Sequence, residues 1–128
     1  MIARVLVAED DADIRALLRD YLSLHHLEII EATDGAQAFA MAEKNTPHLI
    51  ITDVVMPGLY GTTATRRLHD YWRTREVPII IISGTAEAEI IGDLLKHPNV
   101  RFLKKPLDLS VLLRTIRELL PNGGFRPW

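Results

Sequence analysis

His48-Leu49-Ile50-Ile51-Thr52-Asp53 decides how this chain folds. Its apolar residues follow one another without polar alternation, which suits a strand covered on both faces. The stretch Val77 to Ile82 behaves in the same way, and further runs rich in Ile, Val and Leu stand at Ile2 to Ala8, Leu27 to Ile30 and Val100 to Leu103. Segments with helical spacing lie between them. Ile14, Leu17, Leu18, Tyr21 and Leu22 follow an i, i+3, i+4, i+7, i+8 pattern, and Leu109, Leu112, Leu113, Ile116, Leu119 and Leu120 repeat it. Ala64, Leu68, Tyr71 and Trp72 mark a middle helix, Ile90, Ile91, Leu94 and Leu95 another, and Ala38, Phe39, Met41 and Ala42 a weaker one.

A strand followed by a helix, five times over, predicts an α/β fold in which a parallel sheet is joined by right-handed crossovers and covered by helices on both faces. In such open sheets the working crevice lies at the carboxyl ends of the strands, beside the point where strand order reverses. Glu9 and Asp10 follow the first apolar run, Asp53 the third, Ser83 the fourth and Lys105 the fifth. One geometric rule therefore gathers five scattered residues at one edge. Carboxylates crowded together resist ionising, and a hard, oxygen-seeking cation such as Mg²⁺ (or Mn²⁺) is their natural partner. The cluster is a candidate site for phosphoryl chemistry.

Composition narrows the classes. A chain of 128 residues suits a single domain that buries roughly two-thirds of the surface its unfolded form exposes. It contains no cysteine, which excludes a disulfide framework and a thiolate metal site. The apolar runs are too short to span a bilayer, and the N-terminus lacks a signal peptide's long apolar region, so the expectation is a soluble cytoplasmic protein with no membrane partner. A net charge of −2 with mixed signs gives no footprint for nucleic acid, and no direct DNA or RNA binding is expected.

The stretch Val5-Leu6-Val7-Ala8-Glu9-Asp10-Asp11, the stretch Ile50-Ile51-Thr52-Asp53-Val54-Val55-Met56-Pro57-Gly58, the stretch Pro78 to Ser83-Gly84, and Lys104-Lys105-Pro106 together resemble the receiver domain of two-component response regulators. The likeness runs over nearly the whole chain. It implies a flavodoxin-like, doubly wound (βα)5 three-layer sandwich with five parallel strands in the order 2-1-3-4-5. It divides the chain into a stand-alone receiver over 1–121 and a short tail over 122–128 with no output domain.

Residue by residue, the resemblance implies that Asp53 is the phosphoacceptor and that Glu9 and Asp10 are the acidic pair, an alignment anchored by Ile14-Arg15 downstream. Mg²⁺ would be held by Asp10, Asp53 and the backbone carbonyl of Val55, with Glu9 acting through a bound water. Ser83 and Lys105 stand where the family coordinates the phosphoryl group, Gly84 leaves room for a backbone N–H to do likewise, and Phe102 matches the switch aromatic. The Lys105-Pro106 bond is expected to be cis. The phosphoryl group would come from the phosphohistidine of a sensor histidine kinase or a histidine phosphotransfer protein, or from a small acyl phosphate.

Phosphorylation would draw Ser83 inward, admit the Phe102 ring to the vacated space, and alter the face made by the fourth helix, fifth strand and fifth helix. Moving such a switch from one to ninety-nine per cent needs about 5.5 kcal/mol. An unidentified downstream protein partner and a phosphorylation-dependent homodimer follow from that face. Asp11 and Asp13 read instead as N-terminal charges of the helix beginning near Ala12, and His25, His26 and His48 receive no role.

Departures from the family pattern are local. Leu59-Tyr60-Gly61 replaces a residue, an Asp and a Gly, Lys96-His97-Pro98-Asn99 replaces a small-residue turn, and Val55 and Thr85 offer no acidic or amide group to orient water, which predicts slow self-dephosphorylation. Phosphatases of the haloacid dehalogenase class share a strand-end Asp nucleophile but carry a second Asp two residues on, where this chain has Val55. A flavin-binding module would have a phosphate loop where Glu9-Asp10-Asp11 stands. A receiver-like docking module that works without phosphorylation is the remaining alternative.

Overall fold

The computed structural model describes residues 2–53, 76–83 and 99–120, excluding the side chain of Ser83. Five strands, β1 (Arg4–Ala8), β2 (Glu28–Ala32), β3 (Leu49–Asp53), β4 (Ile79–Ser83) and β5 (Val100–Lys104), form one sheet. All neighbouring pairs are parallel, and the order is β2-β1-β3-β4-β5. The described helices are α1 (Ala12–Ser23), α2 (Gly35–Asn45) and a C-terminal helix (Leu109–Leu119). The helices expected around Ala64 to Trp72 and Ile90 to Leu95, and the tail over 121–128, lie outside the described residues.

Each of the three described helices starts on an aspartate whose side chain takes up main-chain N–H groups that have no partner in the first turn. Asp11 accepts from Asp13 and Ile14, Asp34 from Gln37, and Asp108 from Ser110 and Val111. Asp11 thus does what the sequence reading expected of it. Gln37 Oε1 reaches back to the Thr33 N–H at 2.6 Å, which completes a reciprocal cap on α2.

The pleat sends alternate residues of β1 to opposite faces. Val5 and Val7 join Leu18 and Leu22 of α1 and Leu112 and Ile116 of the C-terminal helix, whereas Leu6 and Ala8 join Ala38 and Ala42 of α2. The chain runs from β1 outward to β2 and then back past β1 to β3. Crossovers of one hand in opposite directions leave α1 and α2 on opposite faces, where the two cores find them.

Two expectations shift. Leu17 was placed on the apolar face of α1, yet it is 54% exposed. It lies about 100° round the helix from Leu18, and the buried stripe centres on Leu18 and Leu22. The second apolar run ends at Ile30, but β2 continues through Glu31 and Ala32, which pair with Val7 and Ala8. An edge strand tolerates Glu31 because its carboxylate turns outward to Arg15 and Arg19.

Candidate functional site

The register of the sheet brings the acidic residues together. Ala8, the last residue of β1, lies opposite Thr52, so Glu9 and Asp10 leave the sheet beside Asp53, the last residue of β3. Asp53 lies opposite Ile82 and Ser83 opposite Lys104, which sets Lys105 one residue beyond the same edge. The chain passes from one side of β1 to the other between β2 and β3, so this is the topological switch point of the sheet.

One carboxylate oxygen from each of Glu9, Asp10 and Asp53 lies within 4.8 Å of the other two. Lys105 Nζ donates to Asp53 Oδ2 at 2.8 Å. Glu9 and Asp53 are buried, at 4% and 8% exposure, while Asp10 is exposed and opens the cluster to water.

Burial disfavours the charged form of a carboxylate, and like charges add to that. Burial first, then a hydrogen bond with Asp10 and the charge of Asp53, push the Glu9 carboxyl up to about 7, against the opposing pull of the Asp11 N–H and the Lys105 ammonium. At Lys105 burial pulls the ammonium downward, but its hydrogen bond to Asp53 and the charges of Asp53, Glu9 and Asp10 outweigh that and hold it above its ordinary value. Lys105 therefore stays charged where the Glu9 carboxyl titrates. A site that retains a proton near neutrality is short of positive charge, and a divalent cation can take that proton's place. Three oxygen donors within reach of one ion, with one side open to water, fit Mg²⁺ or Mn²⁺.

Of the residues singled out in the sequence, Glu9, Asp10, Asp53 and Lys105 meet in space. The Lys105-Pro106 peptide is cis. Phe102 lies opposite Ile81 in β5 and packs, partly buried, against the core on the α2 side. Val55, Gly84, Thr85, Leu59-Tyr60-Gly61, Lys96-His97-Pro98 and the Ser83 side chain lie outside the described residues.

Two residues gain roles that the sequence reading did not assign. Arg15 Nη1 donates to the Glu9 main-chain carbonyl at 2.7 Å. His48 Nδ1 accepts the Arg4 N–H at 2.8 Å at the far edge of the sheet. Neither pairing leaves a periodic signal, because each depends on how separate elements dock.

The family described as response regulator receiver domain matches residues 5–117. Protein PilH of Pseudomonas aeruginosa is 34% identical over 119 residues, covering 92% of this chain and 98% of that protein. Response regulator PleD of Caulobacter vibrioides is 37% identical over 120 residues, covering 93% of this chain but 26% of PleD, so the chain spans about a quarter of that relative's length. The chemotaxis response regulator CheY4 of Vibrio cholerae superposes with a TM-score of 0.85 at 27% identity, covering 94% of this chain and all of that one. Among the described residues no helix is long and apolar enough to cross a membrane. With the family match running from β1 into the C-terminal helix, this chain belongs to the response regulator receiver domains of two-component signalling.

Proposed function

We propose that this receiver accepts a phosphoryl group on Asp53 in a reaction that depends on Mg²⁺ at the acidic edge. The observation that carries the reading is the constellation at Asp53: a buried carboxylate with Lys105 Nζ at 2.8 Å and carboxylates of Glu9 and Asp10 in the same 4.8 Å cluster. A carboxylate oxygen of Asp53 forms a bond to phosphorus as the donor's P–N bond breaks, and the imidazole nitrogen of the phosphohistidine keeps the electron pair. Bound at Asp10, Asp53 and the Val55 carbonyl, with Glu9 acting through water, Mg²⁺ would neutralise charge on the transferring phosphoryl group.

The chain's own residues do the rest. Lys105 holds one oxygen of Asp53 and supplies a fixed positive charge where the anionic phosphoryl group approaches. Ser83 and the N–H of Gly84 coordinate the phosphoryl oxygens, and inward movement of Ser83 lets Phe102 follow, which changes the surface around β5 that a partner reads. Receiver domains are typically phosphorylated by histidine kinases. A sensor kinase or a phosphotransfer protein is the donor in this reading, and a downstream protein or a second copy of the chain is the reader.

Intact mass after incubation with a small acyl phosphate and Mg²⁺ tests the proposal. One phosphoryl adduct is expected, absent in Asp53→Asn and absent without metal. An adduct that persists in Asp53→Asn would move the acceptor elsewhere. No adduct with acyl phosphates or with phosphohistidine donors would leave a docking module that works without phosphorylation.

A further inference from the structure

The main chain at Glu9 is held on both of its flanking peptides, the one before it through the Glu9 N–H and the one joining it to Asp10 through the Glu9 carbonyl. The Glu9 N–H donates to the Ala32 carbonyl at the end of β2, at 3.0 Å. The Glu9 carbonyl accepts from Arg15 Nη1, at the end of the first turn of α1, at 2.7 Å. The guanidinium is itself oriented, because its Nε lies 3.3 Å from Glu31 Oε1 on β2. The other oxygen of Glu31 meets Arg19 Nη1 at 3.6 Å. The Arg15 side chain is 17% exposed against 45% for Arg19, so its bonds are the less screened of the two.

A planar guanidinium can hold a carbonyl and a carboxylate at once in one rigid geometry, which an ammonium cannot. The Glu9 carbonyl shares a plane with the Asp10 nitrogen. Releasing that carbonyl would free the plane to turn, and Asp10 would swing with it relative to Asp53.

We propose that Arg15, oriented by Glu31, is a positioning residue for the cation site: it locks the Glu9-Asp10 peptide so that Asp10 presents its carboxylate beside Asp53. The inference rests on reading the Glu9, Asp10 and Asp53 cluster as a Mg²⁺ site. Arg15 works on main-chain geometry. It sets how well the donors are arranged before the ion arrives, as partners behind metal ligands generally do.

Calorimetric titration with Mg²⁺ alone, on the unphosphorylated protein, tests this. Arg15→Met keeps most of the side chain's length but not its donors, and is expected to weaken Mg²⁺ binding roughly 10- to 100-fold, the range for groups behind a metal's ligands. Glu31→Gln removes the charge that orients the guanidinium and should fall between Arg15→Met and the unsubstituted protein. Leu27→Val, just before β2 at the opposite edge, lowers stability without touching the loop and should leave the affinity within about twofold. An unchanged affinity in Arg15→Met overturns the positioning role and leaves the metal site standing. An equal loss in Leu27→Val also overturns it, since the effect would then follow stability. Failure of the unsubstituted protein to bind Mg²⁺ removes the site itself, and the role of Arg15 with it.

Discussion

At the amino edge of the sheet, His48 Nδ1 accepts the Arg4 N–H at 2.8 Å and the His48 N–H donates to the Arg4 carbonyl at 2.8 Å. At the carboxyl edge, Glu9, Asp10 and Asp53 crowd three carboxylates within 4.8 Å, and Lys105 answers one of them. Burial is the leading cause of the shift at both His48 and Glu9, and it favours the neutral form of each. His48 is a base and moves down, whereas Glu9 is an acid and moves up. The difference lies in what neutrality leaves behind. A neutral imidazole satisfies its neighbour and closes the amino edge, but a carboxyl that keeps its proton leaves an acidic site waiting for a better cation. One edge is satisfied by the protein's own groups, and the other, in the function proposed above, is completed by a cation.

Removing the cation that the carboxyl edge does own should have the largest effect. Lys105→Met takes away the donor 2.8 Å from Asp53 Oδ2 while keeping much of the apolar stem. A preorganised donor aimed at developing charge is worth about 2.7–4 kcal/mol, so phosphorylation by a small acyl phosphate should slow by roughly 10²–10³-fold. Stopped-flow or mass-resolved time courses at saturating Mg²⁺ would show it. An unchanged rate would mean that Lys105 neutralises the resting carboxylates only, and would make the two edges more alike than proposed.

The gathering of Glu9, Asp10, Asp53 and Lys105 was legible in the sequence because each follows the end of an apolar run, and a parallel sheet aligns those ends. The runs themselves were legible because Leu49 to Ile51 and Ile79 to Ile82 lack any polar interruption. Leu17 was misread because its spacing also fits a helix face, and only docking against the sheet shows that the stripe centres on Leu18 and Leu22. Arg15 and His48 were beyond reach for a related reason. The partners of Arg15 sit on a loop and on β2, and that of His48 stands 44 residues away, so no local pattern announces either.

A smaller effect separates the edges by pH. The folded-state pKa of Glu9 lies near 7, above its ordinary 4.5, so the folded state holds more protons than the unfolded one across that window. Stability contributed by Glu9 is therefore complete below about 4.5 and is lost as pH rises through about 7. Glu9→Gln should remove that slope when urea midpoints at pH 5 and pH 7.5 are compared without metal. Mg²⁺ competes with the proton, so its stabilising effect should grow over the same window, reaching about 2.7 kcal/mol at a hundredfold excess over the Kd. A Glu9→Gln protein that keeps the full pH dependence of the unsubstituted chain would assign the retained proton to another group.

The amino edge should respond with the opposite sign and the smallest size. Burial, then the charge of Arg4, lower the His48 pKa below 6.5 against the pull of Glu28, so its contribution is complete above 6.5 and is lost as pH falls through the folded value. Only a neutral ring with its proton on Nε2 has a lone pair at Nδ1 for the Arg4 N–H. His48→Asn puts a carbonyl oxygen close to where Nδ1 lies and cannot titrate; it should match the unsubstituted protein at pH 8 and outlast it at pH 5.5. His48→Leu leaves the Arg4 N–H unpaired and should lose about 1–3 kcal/mol at pH 8. If His48→Asn and the unsubstituted protein lose stability in parallel as the solution is acidified, the ring does not sense pH at that edge, and the contrast with Glu9 reduces to the carboxylates alone.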